Sequence, residues 1–282
     1  MNLIDIHDLQ RWVGRQAEST QSLDPFPARA LAAALDRVDA LPADGTLPLP
    51  WHWLYFLDTP TSSGTGADGH PTRGGFLPPV PLPRRMWAAG RLRVMAPLVL
   101  GQPAYKTSRI ASVDLKEGKT GALVFVNLEH TLQQRGMTCL VEEQNIVYRD
   151  MPVASAPLPA TEAAATDADW ETTILPDPVL LFRFSALTYN GHRIHYDRDY
   201  AVQHEFYPAL VVHGPLLATW LLDLLRREVR DATVSEFRFR AVRPTFDTDV
   251  VRVCGKRDGM QVMLWTANTQ GFVGMTARAT LS

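Results

Sequence analysis

A chain of 282 residues, 46% of them hydrophobic, can bury a sizeable core and on ordinary domain sizes makes about two units. Its 28 basic and 30 acidic residues leave a formal charge of -2 at pH 7, which lacks both the basic excess of a nucleic-acid binder and the acidic tract of a disordered tail. Cys139 and Cys254, the only cysteines, lie too far apart for metal-ligand spacing and are too few for a disulfide-built secreted domain.

The first segment, "MNLIDIHDLQRW", is acidic and amphipathic, with neither the basic start nor the apolar core of a signal peptide. A cytoplasmic protein is therefore expected. A helix is predicted over residues 27–41, "PARALAAALDRVDAL". The aromatic run Trp51 to Phe56 reads as core. Asp58 to Gly75, rich in Gly, Ser and Thr, reads as a mobile loop. The Pro/Ala-rich stretch 152–169 has little to bury and reads as a linker between an N-terminal unit, 1–151, and a C-terminal unit, 170–282.

The two units share a pattern. "RLRVMAP" from Arg91 matches "RFRAVRP" from Arg238, and each is followed by a turn cluster and an alternating strand, "ALVFVNLEH" from Ala122 or "QVMLWTANT" from Gln261. Period-2 alternation predicts half-buried antiparallel strands, with Phe237, Phe239 and Ala241 on one face and Arg238 and Arg240 on the other. The shared order predicts an internal duplication. A second helix is predicted from Pro215 to about Val229, where Leu217, Leu221, Leu224 and Leu225 recur at helical spacing and arginines gather at the C-terminal end. The apolar window Ala209 to Leu225 carries His213 and Asp223 and is too short to cross a bilayer, so no membrane is expected. Long helices each followed by antiparallel strands, twice over, predict an α+β double hotdog packed as a pseudo-dimer.

Chemistry concentrates in "YNGHRIHYD" and "YPALVVHGPLL". His195 can exchange a proton near neutral pH, and Asn190 can hold a water or carbonyl but cannot titrate. With Pro215 as first helical residue, Gly214 would be the N-cap. Its amide could then face a developing negative charge. A proton carrier, a water holder and an oxyanion donor suit addition of water across a double bond conjugated to a thioester, or its reverse.

These residues resemble the MaoC-like, type 2 enoyl-CoA hydratases, whose signature is Gly-Asp-x-Asn-Pro-[aliphatic]-His followed by a helix-opening glycine. Here Asn190 stands at the Asp, His192 and Arg193 replace Asn-Pro, His195 keeps the histidine, and Gly214 follows 24 residues after Asn190. The run "SALTYNGHRIHYD…YPALVVHGPL" resembles more closely a subgroup of mitochondrial-type 3-hydroxyacyl-thioester dehydratases and bacterial mesaconyl- and itaconyl-CoA hydratases. "FLPPVPLPRRMWAAGRL" and "EEQNIVYRD" match it too, with Asn145 where Asp is expected. The resemblance implies Asn190, His195 and Gly214 as catalytic residues, and His192, Arg193, Tyr207, His213 and Arg243 as substrate contacts. It implies no metal, no cofactor, and an acyl-CoA or acyl-carrier-protein thioester as partner; a homodimer is left open. The implied reaction is reversible hydration of an enoyl thioester, with a short branched dicarboxylic acyl-CoA as first choice and Arg193, Arg84 or Arg85 to meet its extra carboxylate. The alternatives are an (R)-3-hydroxyacyl-CoA or carrier-protein dehydratase, a hotdog thioesterase, or a non-catalytic thioester-binding module.

Each residue also has a plainer reading. His195 could be a satisfied structural histidine, Asn190 a turn cap, Gly214 a helix cap, His213 a support for the loop before the helix, and Arg243 part of a solvated strand face. The first half has, on the resemblance, lost its catalytic residues and shapes the acyl pocket.

Overall fold

A computed structural model describes residues 4–37, 41–118, 121–151, 158, 162–230 and 233–282. Its strands are β1 (Gln16–Ser22), β2 (Arg84–Val94), β3 (Pro103–Gly118), β4 (Gly121–Gln134), β5 (Met137–Arg149), β6 (Trp170–Ile174), β7 (Val234–Ala241), β8 (Val251–Asp258), β9 (Gln261–Ala267) and β10 (Val273–Leu281). They form one antiparallel sheet in the order β1-β3-β4-β5-β2-β7-β10-β9-β8-β6. The order reads the same from both ends if β1 to β5 are exchanged for their counterparts β6, β7, β8, β9 and β10, which is the signature of a duplicated unit. The halves of the double hotdog thus join edge to edge through β2 and β7.

That seam lies on the repeated motif itself. Arg91 and Arg238, the first residues of the two matching runs, are paired directly across β2 and β7. Like charges opposite one another would repel. Glu236 relieves them, with an oxygen 2.5 Å from Arg91 Nη2 and another 2.5 Å from Arg238 Nε. In β7, Phe237 and Phe239 are buried while Arg238 and Arg240 are exposed, as the alternation predicts.

The helices are α1 (Ile6–Gln10), α2 (Pro25–Ala34), α3 (Pro178–Leu187), α4 (Arg198–Gln203) and α5 (Gly214–Glu228). Helices α2 and α3 both open on Asp-Pro. Asp24 accepts from Phe26 N at 2.7 Å and Asp177 from Leu180 N at 2.8 Å, while proline supplies a first-turn residue with no N–H to satisfy. Helix α2 begins two residues before the expected start and ends at Ala34; residues 38–40 of the expected helix lie outside the described residues.

Among the described residues, only the second half carries a long central helix. In α5, Leu216 to Leu222, Leu224 and Leu225 are all buried, each fully buried leucine stabilising by about 1.5–3 kcal/mol relative to exposure. The first half, where Pro42, Pro48 and Pro50 interrupt any helical repeat, instead sends in a single turn, Trp51–Leu54. Among the described residues no helix is long and apolar enough to cross a membrane.

The described parts of the two low-complexity stretches make specific contacts. Residues 152–157 and 159–161 of the expected linker lie outside the described residues. The rest lies along the second half: Ala164 N donates to Gly271 O at 2.8 Å and Asp169 N to Gly255 O at 2.9 Å. The loop from Asp58 to Gly75 crosses from the first half onto the motif of the second. There Arg193 N donates to Asp68 O at 2.9 Å and Arg193 Nη1 to Ala67 O at 3.1 Å. Gly69, at φ +89°, lies so close to Gly191 that a Cβ would stand 1.8 Å from the Gly191 carbonyl oxygen.

Candidate functional site

The path into the site starts where α3 stops. Tyr189 turns the chain with a left-handed φ of +50°, and Asn190 then closes an Asx turn, its Oδ1 accepting the His192 N–H at 3.0 Å. The side-chain carbonyl of Asn190 is thereby committed to the backbone, leaving its amide group as donor. A single turn, Arg193–His195, follows, and Asp197 caps α4 by accepting from Tyr200 N at 3.0 Å.

His195 is buried, and its Nδ1 is 2.7 Å from the Val211 carbonyl. A carbonyl only accepts, so Nδ1 carries the proton and Nε2 is the free base. Burial, then the neighbouring His213 and His192, hold the pKa of His195 well below the ordinary histidine range, against the opposing pull of Val211. The neutral base is therefore the form present at pH 7.

One face of His195 is covered by His213, with ring centres 3.7 Å apart and planes 18° from parallel. His213 is fully buried. Its Nε2 shares a hydrogen bond with Ser185 Oγ at 2.8 Å, its ring meets the edge of Phe184, and burial followed by the influence of His192 lowers its pKa to about 3. Its Nδ1 has no hydrogen-bond partner among the described residues. His213 is the N-cap of α5, and Gly214, expected as the cap, is the first helical residue. The one-residue shift keeps the essential feature, because the amide of that position has no acceptor within the helix. The sequence-nominated residues His195, His213 and Gly214 thus come together.

His192 extends the cluster the other way. Its ring contacts His195 edge-on at 5.5 Å and lies 4.0 Å from the ring of His70 in the crossing loop. His70 Nδ1 is 2.9 Å from Asp68 Oδ2. On the far side, His192 Nε2 is 3.7 Å from Glu205 Oε1, and Glu205 Oε2 is 2.8 Å from Arg84 Nε. Burial pushes the Glu205 carboxyl up, but the nearby His192 imidazole and the charge of Arg84 outweigh it, so its pKa is lowered. Four imidazoles therefore run in the order 213, 195, 192, 70 between the start of α5 and the first half.

The other nominated residues are occupied elsewhere. Arg193 pairs with Asp197 at 2.8 Å and lies over the Tyr200 ring. Tyr207 bonds through its hydroxyl to Arg84, whose guanidinium also lies 4.8 Å over its ring. Arg243 sits over Phe272 at 5.4 Å, with no contact to the histidines among the described residues. Asp68, His70 and Glu205 went unnominated. The signal available for the first two was the Ala67-Asp68-Gly69-His70 run, which sets an acid two residues before the one imidazole of a loop of small polar residues.

Donor atoms of Asp68, His70 and His192 lie within 4.8 Å of one another, a grouping that invites a metal. The ring geometry argues against it. Two imidazoles on one tetrahedral ion hold their centres roughly 5 Å apart. Here the rings are 4.0 Å apart and tilted by only 36°, a stack rather than a chelate.

On the first-half side, Trp87 presents its carbonyl oxygen 3.8 Å from where a Cβ on Gly214 would stand. Trp87 packs on Trp53 at 4.9 Å and on Phe239 at 5.7 Å. Trp53 is held in turn by buried Glu142, which accepts its Nε1–H at 2.8 Å. The first half thus reaches the helix start through the Trp87 backbone, while the Trp87 ring joins an aromatic cluster drawn from both halves.

This arrangement has relatives. A mesaconyl-C(4)-CoA hydratase of Chloroflexus aurantiacus is 43% identical over 276 residues, covering 97% of this chain and 98% of that protein. A mitochondrial hydroxyacyl-thioester dehydratase type 2 of Schizosaccharomyces pombe is 26% identical over 238 residues, covering 74% and 77%. The crystal structure of a MaoC-like dehydratase from Phytophthora capsici shares the fold at a TM-score of 0.67 and 10% identity, covering 99% of this chain and 98% of that one. The family model for hydroxyacyl-thioester dehydratase type 2 matches residues 50–247, a span that holds the crossing loop, the four histidines and the start of α5, and the chain belongs to that family.

Proposed function

We propose that this protein hydrates, reversibly, a short branched dicarboxylic enoyl-CoA of the mesaconyl type. The chain is a hydro-lyase by family, and the choice of acyl group rests on one observation: the 43% identity to a mesaconyl-C(4)-CoA hydratase, carried over nearly the whole of both chains.

The geometry supports a simple course. The thioester oxygen accepts from the Gly214 amide at the positive end of α5. Neutral His195 takes a proton from water through Nε2, and the water oxygen bonds to the β-carbon. The electron pair of the double bond moves to the α-carbon and thioester oxygen. The His195 imidazolium then returns its proton to the α-carbon, so that one water is added and the histidine is restored. Burial, which keeps His195 neutral, also makes that imidazolium short-lived. Asn190 steadies the turn bearing His192 through Oδ1, and its Nδ2 group is left to hold water or substrate.

Loss of the absorbance of the conjugated thioester, followed with mesaconyl-C(4)-CoA and crotonyl-CoA, tests the reading. Higher kcat/KM with the first is expected. Efficient turnover of crotonyl-CoA alone would instead favour a 3-hydroxyacyl-thioester dehydratase of the kind the fission-yeast relative is named for.

A further inference from the structure

We infer that His70, on the loop that the first half sends across the site, anchors a carboxylate borne on the β-carbon of the substrate, with Arg85 supplying further positive charge. The inference deepens the proposed function and rests on it.

Order along the cluster carries the argument. If the thioester oxygen meets Gly214 and the β-carbon meets His195, whatever the β-carbon bears must point onward, toward His192 and His70. That direction is polar: His70, Asp68 and Glu205 follow one another there. An alkyl chain laid across those groups would strip water from them and return no hydrogen bond. A carboxylate returns one, accepting from His70 Nε2 once that imidazole has taken up a second proton.

Charge pairing then selects the residues. Of the arginines near the motif, Arg193 is neutralised by Asp197 and Arg84 by Glu205. Arg85 is half-buried, lies directly across from Tyr148 in the β2–β5 pairing, and has no carboxylate within ion-pair distance among the described residues. Its charge acts on His70. Donation of the Nδ1 proton to Asp68 leaves His70 Nε2 as the end that a ligand meets.

The anchor is also held rigidly. The close approach of Gly69 to Gly191 and the bond from Arg193 N to Asp68 O fix the loop on either side of His70. Burial first, then His192 and Arg85, lower the His70 pKa to about 4 against the hydrogen bond and charge of Asp68, so the empty site holds it neutral. The groups facing it are Asp68 from its own loop, His192 with His195 and Glu205 behind it, and Arg85 from β2. An arriving carboxylate raises that pKa, so binding takes up a proton and weakens as pH rises.

The test compares KM for mesaconyl-C(4)-CoA and crotonyl-CoA in the wild type, His70→Gln and Arg85→Gln, with thermal melts of each. The expected result is a KM for the carboxylated thioester raised tenfold or more in both variants. KM for crotonyl-CoA should stay within about twofold, and the wild-type rise of KM with pH should be flattened in His70→Gln. Equal losses on both substrates would overturn the anchor alone. A wild-type protein that hydrates crotonyl-CoA and no β-carboxylated thioester would overturn the anchor and the proposed function together.

Discussion

His195 and His213 stack face to face, with ring centres 3.7 Å apart, and the second of them caps the helix whose first amide belongs to Gly214. On the proposed mechanism the relationship links the proton carrier to the oxyanion donor through one intervening side chain. Replacing His195 by Ala removes the base and leaves the donor. Hydration should fall by about 10²- to 10⁴-fold in kcat, the usual span for a general base. Steady-state kinetics on the folded variant decides it, and full activity would remove His195 from the mechanism.

Gly214→Ala separates folding from chemistry. A Cβ there meets only Trp87 O at 3.8 Å and Met275 Cε at 4.0 Å, both ordinary contacts. Alanine is the better helix former by about 1 kcal/mol. The variant should melt at the same temperature as the wild type or slightly above it. Activity should nevertheless drop, because the methyl group stands beside the amide that a thioester oxygen must reach. Unchanged kcat/KM would sever Gly214 from catalysis.

Gly69→Ala should be costly in both respects. The residue combines a φ of +89° with a Cβ position 1.8 Å from Gly191 O, so the loop must lift away from the motif. Separation would break the hydrogen bonds from Arg193 to Asp68 O and Ala67 O. A lowered melting temperature is expected, with KM for a carboxylated substrate raised more than KM for crotonyl-CoA. Limited proteolysis within 58–75 gives an independent measure of release.

What was legible in the sequence followed local rules. The Phe237/Phe239 alternation, the apolar repeat of α5 and the Arg91/Arg238 repeat each obey a periodicity or register that survives folding unchanged. The grouping of His195 with Gly214 was legible because both sit on one continuous motif. The contribution of Asp68 and His70 was not, because it depends on a loop more than 100 residues upstream meeting Gly191 and Arg193 across the two halves. Nor can spacing show which arginine keeps its charge free; Glu205 occupies Arg84 and Asp197 occupies Arg193 only once the chain is folded.

Acid should destabilise the protein through its buried histidines. His130 is buried beside Ser108, 2.8 Å from its Oγ. Burial and then the charge of Lys106 lower its pKa from 6.5 to about 4. A histidine depressed on folding binds its proton more readily in the unfolded chain, so stability falls as pH drops from about 6.5 toward 4 and levels below that. The slope is about 1.4 kcal/mol per pH unit for each such group. Urea midpoints measured between pH 7 and 4 should show the fall. His130→Gln should reduce its slope, and an unaltered slope would place the proton uptake elsewhere.

The carboxylate behind Trp53 should matter to folding and to substrate binding alike. Glu142 is 1% exposed and accepts from Trp53 Nε1 at 2.8 Å and Gln144 Nε2 at 2.8 Å, with His52 Nε2 at 3.1 Å. Burial alone would raise its pKa, but the hydrogen bond and charge of His52, then His130 and Lys106, bring it down to about 2. A carboxylate depressed in this way stabilises the fold above its unfolded value near 4.5 and loses that effect as pH falls toward 2. Glu142→Gln keeps the shape and an acceptor for Trp53 but removes the charge that strengthens the bonds from Trp53 and Gln144, at a cost on the order of 2 kcal/mol. Because Trp53 packs on Trp87, whose carbonyl faces Gly214, the variant should also raise KM while changing kcat little. Denaturant melts at pH 7 together with KM measurements check both halves of the expectation, and a variant as stable as the wild type would show that the carboxyl is protonated in the native protein.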